Sequence, residues 1–372
     1  MSKPLFRRVV VAPDKFKGSA SAHEVTSAIA RGIRSIFPQC EIVELPMADG
    51  GDGTVALFVE SGAAEARKAR VHDPLGREID ATYALFEGTR AIVELASASG
   101  LVLLEPDERD PWHADTRGTG ELIRAALDAG AREVIVGLGG SATNDAGIGL
   151  LRALGVRTTP PSSVHEIEAV DFSQLDSRLA QTALVVASDV DNPLCGPNGA
   201  TAVFGPQKGV KPEDVERLDS ALARTADAMA RALGRDLRDV PGAGAAGGAG
   251  FALLALGAKL RPGVEIVAEL RGLDRALEGA TLCVTGEGAI DAQTLRGKTV
   301  AGVGRHAQRC GVPVIAIGGS IERSVEPDLW QEGIAVVPIA MGPAERETLM
   351  KDAPALIEAA AARLARSLTL RT

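Results

Sequence analysis

Short apolar runs alternate with amphipathic stretches from the start of the chain. The run Val9–Ala12 reads as part of a strand, Arg8–Ala12, and is followed by the turn-rich segment Pro13–Ser21 and a helical pattern over His23–Ile36. A second strand, Glu41–Pro46, leads through the turn Asp49–Gly53 into a helix over Thr54–Ser61. The C-terminal stretch keeps the same rhythm: strand Leu282–Thr285, helix Val300–Arg309, strands Val312–Gly318 and Ile334–Ile339, and a final helix Ala353–Leu368. Nearly continuous apolar strands alternating with helices predict a parallel sheet covered on both faces.

The middle of the chain has a different texture. Residues 69–96 alternate apolar and polar positions around Pro74-Leu75-Gly76 and Glu87-Gly88-Thr89, the pattern of antiparallel strands joined by turns. Helix Gly120–Ala129, strand Glu133–Gly137, helix Ala146–Leu154, strand Ala183–Ala187 and a helical stretch Glu213–Leu233 follow. The expected fold class is therefore α/β. A doubly wound parallel-sheet domain is built from both chain ends, residues 1–66 and 276–372, and a mixed α/β domain is inserted at 67–275. A cleft between two such domains is the expected place for an active site.

Composition narrows the function classes. The 372 residues are 45% hydrophobic and 24% charged, an ordinary globular balance, with length for two cores. Aromatic residues make up only 3% against 42 glycines, so the core relies on small and aliphatic side chains. A net charge of −9 argues against a nucleic-acid surface, while a local basic pocket for small anions stays open. Cys40, Cys195, Cys283 and Cys310 form no C-x-x-C and are expected to be buried free thiols in a reducing compartment. Met1–Phe6 has no apolar h-region and no apolar run is long enough for a membrane helix, so a cytoplasmic protein without a membrane partner is expected.

Five polar, glycine-rich clusters interrupt the apolar pattern, most of them at strand ends, where α/β proteins bind ligands. Asp14-Lys15-Phe16-Lys17-Gly18-Ser19 offers cations and a hydroxyl ahead of a helix, which suits an anion as well as a plain capping turn. Asp49-Gly50-Gly51-Asp52-Gly53-Thr54 offers two carboxylates to a divalent cation, or a simple helix cap. Gly137–Asp145 satisfies G-x-G-x-x-A but lacks the acid about 20 residues on that a dinucleotide fingerprint needs. Gly242–Gly247 matches G-x-G-x-x-G without a strand before it. A phosphate nest at Gly139-Gly140-Ser141 with Thr143 survives that test. Ser188–Pro193, continuing to Gly205–Gly209, sets Asp189, Asp191 and Asn192 near Lys208 in sequence. Gly297-Lys298-Thr299 tempts a P-loop reading, but position 292 is alanine where that motif needs glycine, so a polar loop with Glu287, Asp291, Arg296 and Lys298 is expected instead.

Seven motifs together resemble the type I glycerate kinase family: Ala12-Pro13-Asp14 with Phe16–Ser19, then Pro46–Thr54, Gly139–Asp145, Asp189–Cys195, Phe204–Gly209, Pro241–Gly248, and Thr285–Gly288 with Asp291–Thr294. The resemblance implies a flavodoxin-like domain with an inserted domain, and ATP- and Mg²⁺-dependent phosphorylation of D-glycerate to 2- or 3-phosphoglycerate. The candidate catalytic residues are Asp189 or Asp191 as the group that orients or deprotonates the hydroxyl, with Lys17 and Lys208 offsetting phosphoryl and carboxylate charge. Asp14, Ser19, Gly139, Gly140, Ser141, Thr143, Asn144, Asn192, Gly244, Gly247, Gly248, Thr285, Thr294 and Lys298 are expected to bind substrate or phosphate, and Asp49, Asp52, Glu287 and Asp291 a metal ion. A homodimer stands as a conjecture. A nicotinamide-dependent hydroxy-acid oxidoreductase and a non-catalytic sugar-acid-binding regulator are the alternatives. Lys15, Ala146 and Ala289 depart from the family pattern, which usually has serine, glycine and arginine there. If the cation gained at Lys15 compensates for the one lost at Ala289, Lys15→Ala weakens the anionic substrate measurably in KM, and unchanged kinetics removes the idea.

Overall fold

A computed structural model describes residues 7–161, 164–342 and 344–369, the Arg296 side chain aside; the lead-in Met1–Phe6 lies outside them. The strands in chain order are β1 (Arg8–Val11), β2 (Glu41–Glu44), β3 (Glu65–His72), β4 (Glu78–Phe86), β5 (Arg90–Glu94), β6 (Glu133–Gly137), β7 (Arg157–Thr159), β8 (Ala169–Asp171), β9 (Ala183–Ala187), β10 (Lys259–Arg261), β11 (Leu282–Ile290), β12 (Val314–Ile321) and β13 (Ile334–Pro338). Contacts divide the chain into two compact units, residues 1–49 with 262–372 and residues 50–261.

The terminal unit carries a five-stranded sheet in the order β2-β1-β11-β12-β13, every neighbouring pair parallel. This is the flavodoxin-like arrangement, with the strand order reversing between β1 and β11. Val9 and Val11 point to one face and join a core with the helices Ala22–Arg34 and Ala353–Leu368. Val10, between them, is equally buried, as a sheet covered on both faces requires. The helix Ala22–Arg34 starts at a capping box of Ser21 and Glu24, and its buried face is Val25, Ala28, Ile29 and Ile33.

Strand β11 runs five residues past the expected Thr285, so Gly286-Glu287-Gly288 are strand and not loop. Glycine explains the extension. A Cβ at Gly286 would lie 2.4 Å from the Ile317 carbonyl oxygen, and one at Gly319 2.5 Å from that of Gly288, so only bare backbone lets β11 and β12 pair this far.

The inserted unit holds a six-stranded mixed sheet in the order β10-β9-β6-β5-β4-β3. Strands β3, β4 and β5 form the antiparallel meander expected from their alternation, and β5, β6, β9 and β10 run parallel. The helix Thr54–Glu60 packs on β3, β4 and β5, with Phe58 stacked on Phe86 at 5.8 Å between ring centroids. Its apolar face thus belongs to the inserted unit, and the division falls at 49/50, short of the 66/67 boundary expected. At the other end, Val264 on the helix Gly263–Arg271 packs where Gly302 leaves room on the helix Thr299–Arg309, so the terminal unit resumes at 262 and not 276.

The four cysteines are free thiols, but only Cys283 is buried; Cys40 and Cys195 are half-buried and Cys310 is exposed. No helix of the described residues is long and apolar enough to cross a membrane.

The contact between the helices Ala22–Arg34 and Ala353–Leu368 depends on Gly32, where a Cβ would sit 2.3 Å from the Glu358 carbonyl oxygen and 2.8 Å from the Ala361 methyl. Gly32→Ala is expected to lower stability by roughly 1–3 kcal/mol in urea denaturation, overlap outweighing the better helix propensity of alanine. An unchanged or raised midpoint would show that the two helices separate freely.

Candidate active site

Loops after neighbouring strands leave a sheet on opposite faces where the strand order reverses, and the crevice they leave receives ligands. In the terminal unit that point is the C-terminal end of β1 and β11. The backbone there is stitched tightly: the Asp14 amide donates to Gly286 O at 2.8 Å and the Thr285 hydroxyl to Ala12 O at 2.8 Å. Asp14 is only 8% exposed, with one carboxylate oxygen accepting from the Lys15 amide at 2.6 Å and the other from the Thr299 hydroxyl. Glu287, 6% exposed on β11, accepts from the Thr294 hydroxyl, and Asp291 forms the turn that presents Thr294.

These acids repel one another in a poorly solvated place. Burial, reinforced by the negative charge of Asp49, pushes Asp14 up to about 7 against the Thr299 and Lys15 hydrogen bonds. Burial pushes Glu287 up to about 7 as well; Thr294 and the Lys298 charge oppose the rise, while Asp14 and Asp291 add to it. Three of the four candidate metal-binding acids, Asp49, Glu287 and Asp291, thus act on one electrostatic cluster together with Asp14. The fourth, Asp52, belongs to the inserted unit.

Among the described residues no group of three or more His, Cys, Asp or Glu side chains is placed to hold a metal ion. Mg²⁺ does not require such a cage, since it takes one or two carboxylates and completes its shell with phosphate oxygens and water. The hard oxygen donors of Asp14, Glu287, Thr294 and Thr299, with more negative charge than their surroundings neutralise, fit that demand.

Lys17 is exposed on the turn Phe16–Ala20, where Gly18 takes φ +76° and the Phe16 and Ala20 backbones pair. Ser19 donates its amide to Phe16 O within that turn, and Ser21 is the residue that caps the following helix. Gly288 lies against the Phe16–Lys17 backbone, which sets the Ala289 segment beside the loop that carries Lys15. Lys298 is the N-cap residue of the helix Thr299–Arg309. Thr299, passed over with the rejected P-loop, proves to be the hydroxyl that holds Asp14.

The inserted unit gathers a second group. Gly139 and Gly140 are exposed just past β6, beside the turn that carries Asp52: a Cβ on Gly139 would lie 3.2 Å from Gly51 Cα and 3.5 Å from the Asp52 nitrogen. The helix after them begins only at Ile148, so the strand–turn–helix of a dinucleotide fingerprint is not formed. Ser141 is buried and paired with Gly100. Thr143 and Asn144 are fully buried, and the Asn144 amide nitrogen donates to Thr201 Oγ1 at 3.0 Å. Thr143 Oγ1 and Asn144 Oδ1 are buried without a hydrogen-bond partner. Lys208 is 1% exposed and its ammonium donates to Thr143 O at 2.7 Å; burial pushes it down to about 7, with Asp145 opposing.

Asp189 and Asp191 are exposed on the loop after β9, and Asn192 anchors that loop through Asn198 O at 2.8 Å. Gly244 and Gly247 permit two close approaches. A Cβ at Gly244 would lie 2.1 Å from Pro193 O, and one at Gly247 2.0 Å from Thr143 O. Gly248 backs onto Ala146 in the same way, at 2.5 Å from its Cα. The segment 242–248 therefore holds together the loops that carry Asn192 and Thr143. Thr116, Asp145 and Thr201, which hold this group in place, received no role from the sequence. The only signal was that Asp145 closes the motif Gly139–Asp145 and that Thr116 precedes the glycine-punctuated stretch Arg117–Gly120.

The acidic cluster of the terminal unit makes stability depend on pH in a stated direction. Asp14 and Glu287 have folded-state values near 7 against ordinary values of 3.8 and 4.5. Between those limits the folded protein keeps protons that the unfolded chain has lost, so stability falls as pH rises through the window. Without ligand or divalent ion, Asp14→Asn is expected to melt above the wild type at pH 8, by on the order of 1 kcal/mol or more, with the gap closing toward pH 5. A variant less stable than wild type at pH 8 would contradict the repulsion.

Residues 9–369 match the glycerate kinase family. The chain is 44% identical over 375 residues to glycerate kinase of Bacillus subtilis (strain 168), covering 98% of each chain. It is also 44% identical over 341 residues to glycerate 2-kinase of Escherichia coli (strain K12), covering 89% of each. A crystal structure assigned to glycerate kinase 2 of Salmonella typhimurium LT2 superposes with a TM-score of 0.85 at 42% identity, over 98% of this chain and 99% of that one. Motif order, sheet topology and these likenesses agree, and the chain belongs to the glycerate kinase family.

Proposed function

We propose that this enzyme transfers the γ-phosphoryl group of ATP to a hydroxyl of D-glycerate, with 2-phosphoglycerate as the favoured product. The observation that carries the reading, in a member of this family, is the buried cluster of Asp14, Glu287, Thr294 and Thr299 at the reversal of the strand order. Phosphoryl transfer demands positioning and charge neutralisation more than covalent work. Mg²⁺, held at that cluster by Asp14 and Glu287 with Asp49 or Asp291 behind them, would supply charge neutralisation at the phosphates.

The remaining roles fall to exposed groups. Asp189 or Asp191, solvent-facing after β9, serves as the carboxylate that orients and deprotonates the attacking hydroxyl. Lys17 offsets charge on the transferred group. The bare backbone at Gly139 and Gly140 admits phosphate oxygens where a side chain would intrude. Lys208 is too deeply buried to reach a ligand directly, which supports a role in holding the Thr143 segment. Its four free thiols and its use of ATP suit work in the cytoplasm.

The test is a coupled assay of ADP release with glycerate, hydroxypyruvate and tartronate as acceptors, and phosphorus NMR of the product to locate the new ester. ADP release with glycerate is expected, and at least one of Asp189→Asn and Asp191→Asn is expected to lower kcat by about 100-fold or more. Near-wild-type kcat in both variants removes the base assignment. Nicotinamide turnover without ADP release would favour the hydroxy-acid oxidoreductase instead.

A further inference from the structure

Asp145 is fully buried, yet its carboxylate is among the most heavily donated groups in the inserted unit. One oxygen accepts from the Thr116 amide at 3.0 Å, the Thr116 hydroxyl at 2.8 Å and the Gly149 amide at 3.0 Å; the other accepts from the Gly147 amide at 3.1 Å. The Thr116 hydroxyl in turn accepts from the Leu150 amide at 2.9 Å. A single carboxylate thereby joins the N-termini of two helices, Arg117–Asp128 and Ile148–Ala153, whose unpaired N–H groups favour negative charge.

The turn that Asp145 closes is held from other sides as well. Lys208 grips the Thr143 carbonyl, Thr201 grips the Asn144 amide, and Gly247 abuts both residues. Asp145 is also the charge that favours the ammonium form of Lys208 in its buried place. The same turn carries the two partnerless polar atoms, Thr143 Oγ1 and Asn144 Oδ1, next to the exposed Gly139–Gly140 backbone. A turn braced this heavily, with hydrogen-bonding capacity left over, is built to present groups and not merely to fill space.

We propose that Asp145 is a positioning residue of the reaction: it closes the Thr143–Asn144 turn, which Lys208 holds from the other side, in the geometry that the phosphoryl acceptor or donor meets. The inference rests on the kinase reading. Other charged groups around the pair are Asp115, pushed up to about 6 by burial and by Asp145, Arg152 on the helix Ile148–Ala153, and His165, pushed down by burial. Arg109 donates to the Gln207 carbonyl at 3.1 Å, just before Lys208.

The experiment compares wild type, Asp145→Asn, Lys208→Met and the double variant in the ADP-release assay with glycerate, alongside thermal melts. Asp145→Asn is expected to lower kcat by about 10- to 100-fold with little change in the KM for ATP. In the Lys208→Met background the same change is expected to cost under about 3-fold. Folded Asp145→Asn with wild-type kinetics, or losses that multiply independently in the double variant, overturns the proposal. Where Asp145→Asn fails to fold, Thr116→Val removes one of the four bonds and is expected to show the same kcat loss in milder form, restored by Thr116→Ser; wild-type kcat in Thr116→Val would overturn it. A wild-type enzyme that releases no ADP with glycerate would overturn the kinase reading and this inference with it.

Discussion

The reversal of strand order between β1 and β11 is the constraint on which the terminal unit depends. Two parallel neighbours whose crossovers leave on opposite faces open a crevice at their C-terminal ends. The chain fills the crevice edges with backbone and short hydroxyls: Asp14 to Gly286, Thr285 to Ala12, Thr299 to Asp14, Thr294 to Glu287. The glycines of β11 and β12 then become intelligible. They allow the sheet to continue far enough that Glu287 stands beside Asp14 and not out in solvent.

The two units treat buried carboxylates in opposite ways. Asp145 receives four donors and is spent on architecture, joining two helix ends. Asp14 and Glu287 are left with fewer donors and with each other's charge, and their affinity for protons rises accordingly. A carboxylate with unmet demand is costly in the free protein but suits a site that must accept a cation and its phosphates. The contrast is between a cluster left with unmet demand and a carboxylate whose demand is met inside the fold.

Much of this was legible in the sequence because it rests on local chemistry. Strand and helix positions followed from apolar periodicity, the meander from its alternation, and the rejection of a P-loop from the alanine at position 292. What the sequence hid depends on long-range contact. The helix Thr54–Glu60 looks like part of the N-terminal repeat until Phe58 is seen stacked on Phe86. Glu287 reads as loop because two glycines usually end a strand, and here they extend it. Asp145 and Thr116 are separated by 28 intervening residues, and no periodicity announces that a carboxylate will meet the start of a distant helix. Lys208 looks like a free cation because burial cannot be read from a Gln-Lys-Gly turn.

Ala146 shows how tightly the inserted unit's site is determined. Its φ of +54° lies in the left-handed region, which costs a residue with a Cβ about 1–2 kcal/mol. Ala246, with the same φ, faces it across the bond from the Ala146 amide to Gly247 O at 3.0 Å. Two left-handed turns, 146–147 and 246–248, are thus back to back, and packing over-determines the conformation that Ala146 adopts. Gly247 has no such latitude, since a methyl there would strike the Thr143 carbonyl that Lys208 holds. The Ala146 methyl is accommodated in the core, while the contact that sets the Thr143 and Asn144 backbone runs through Gly247.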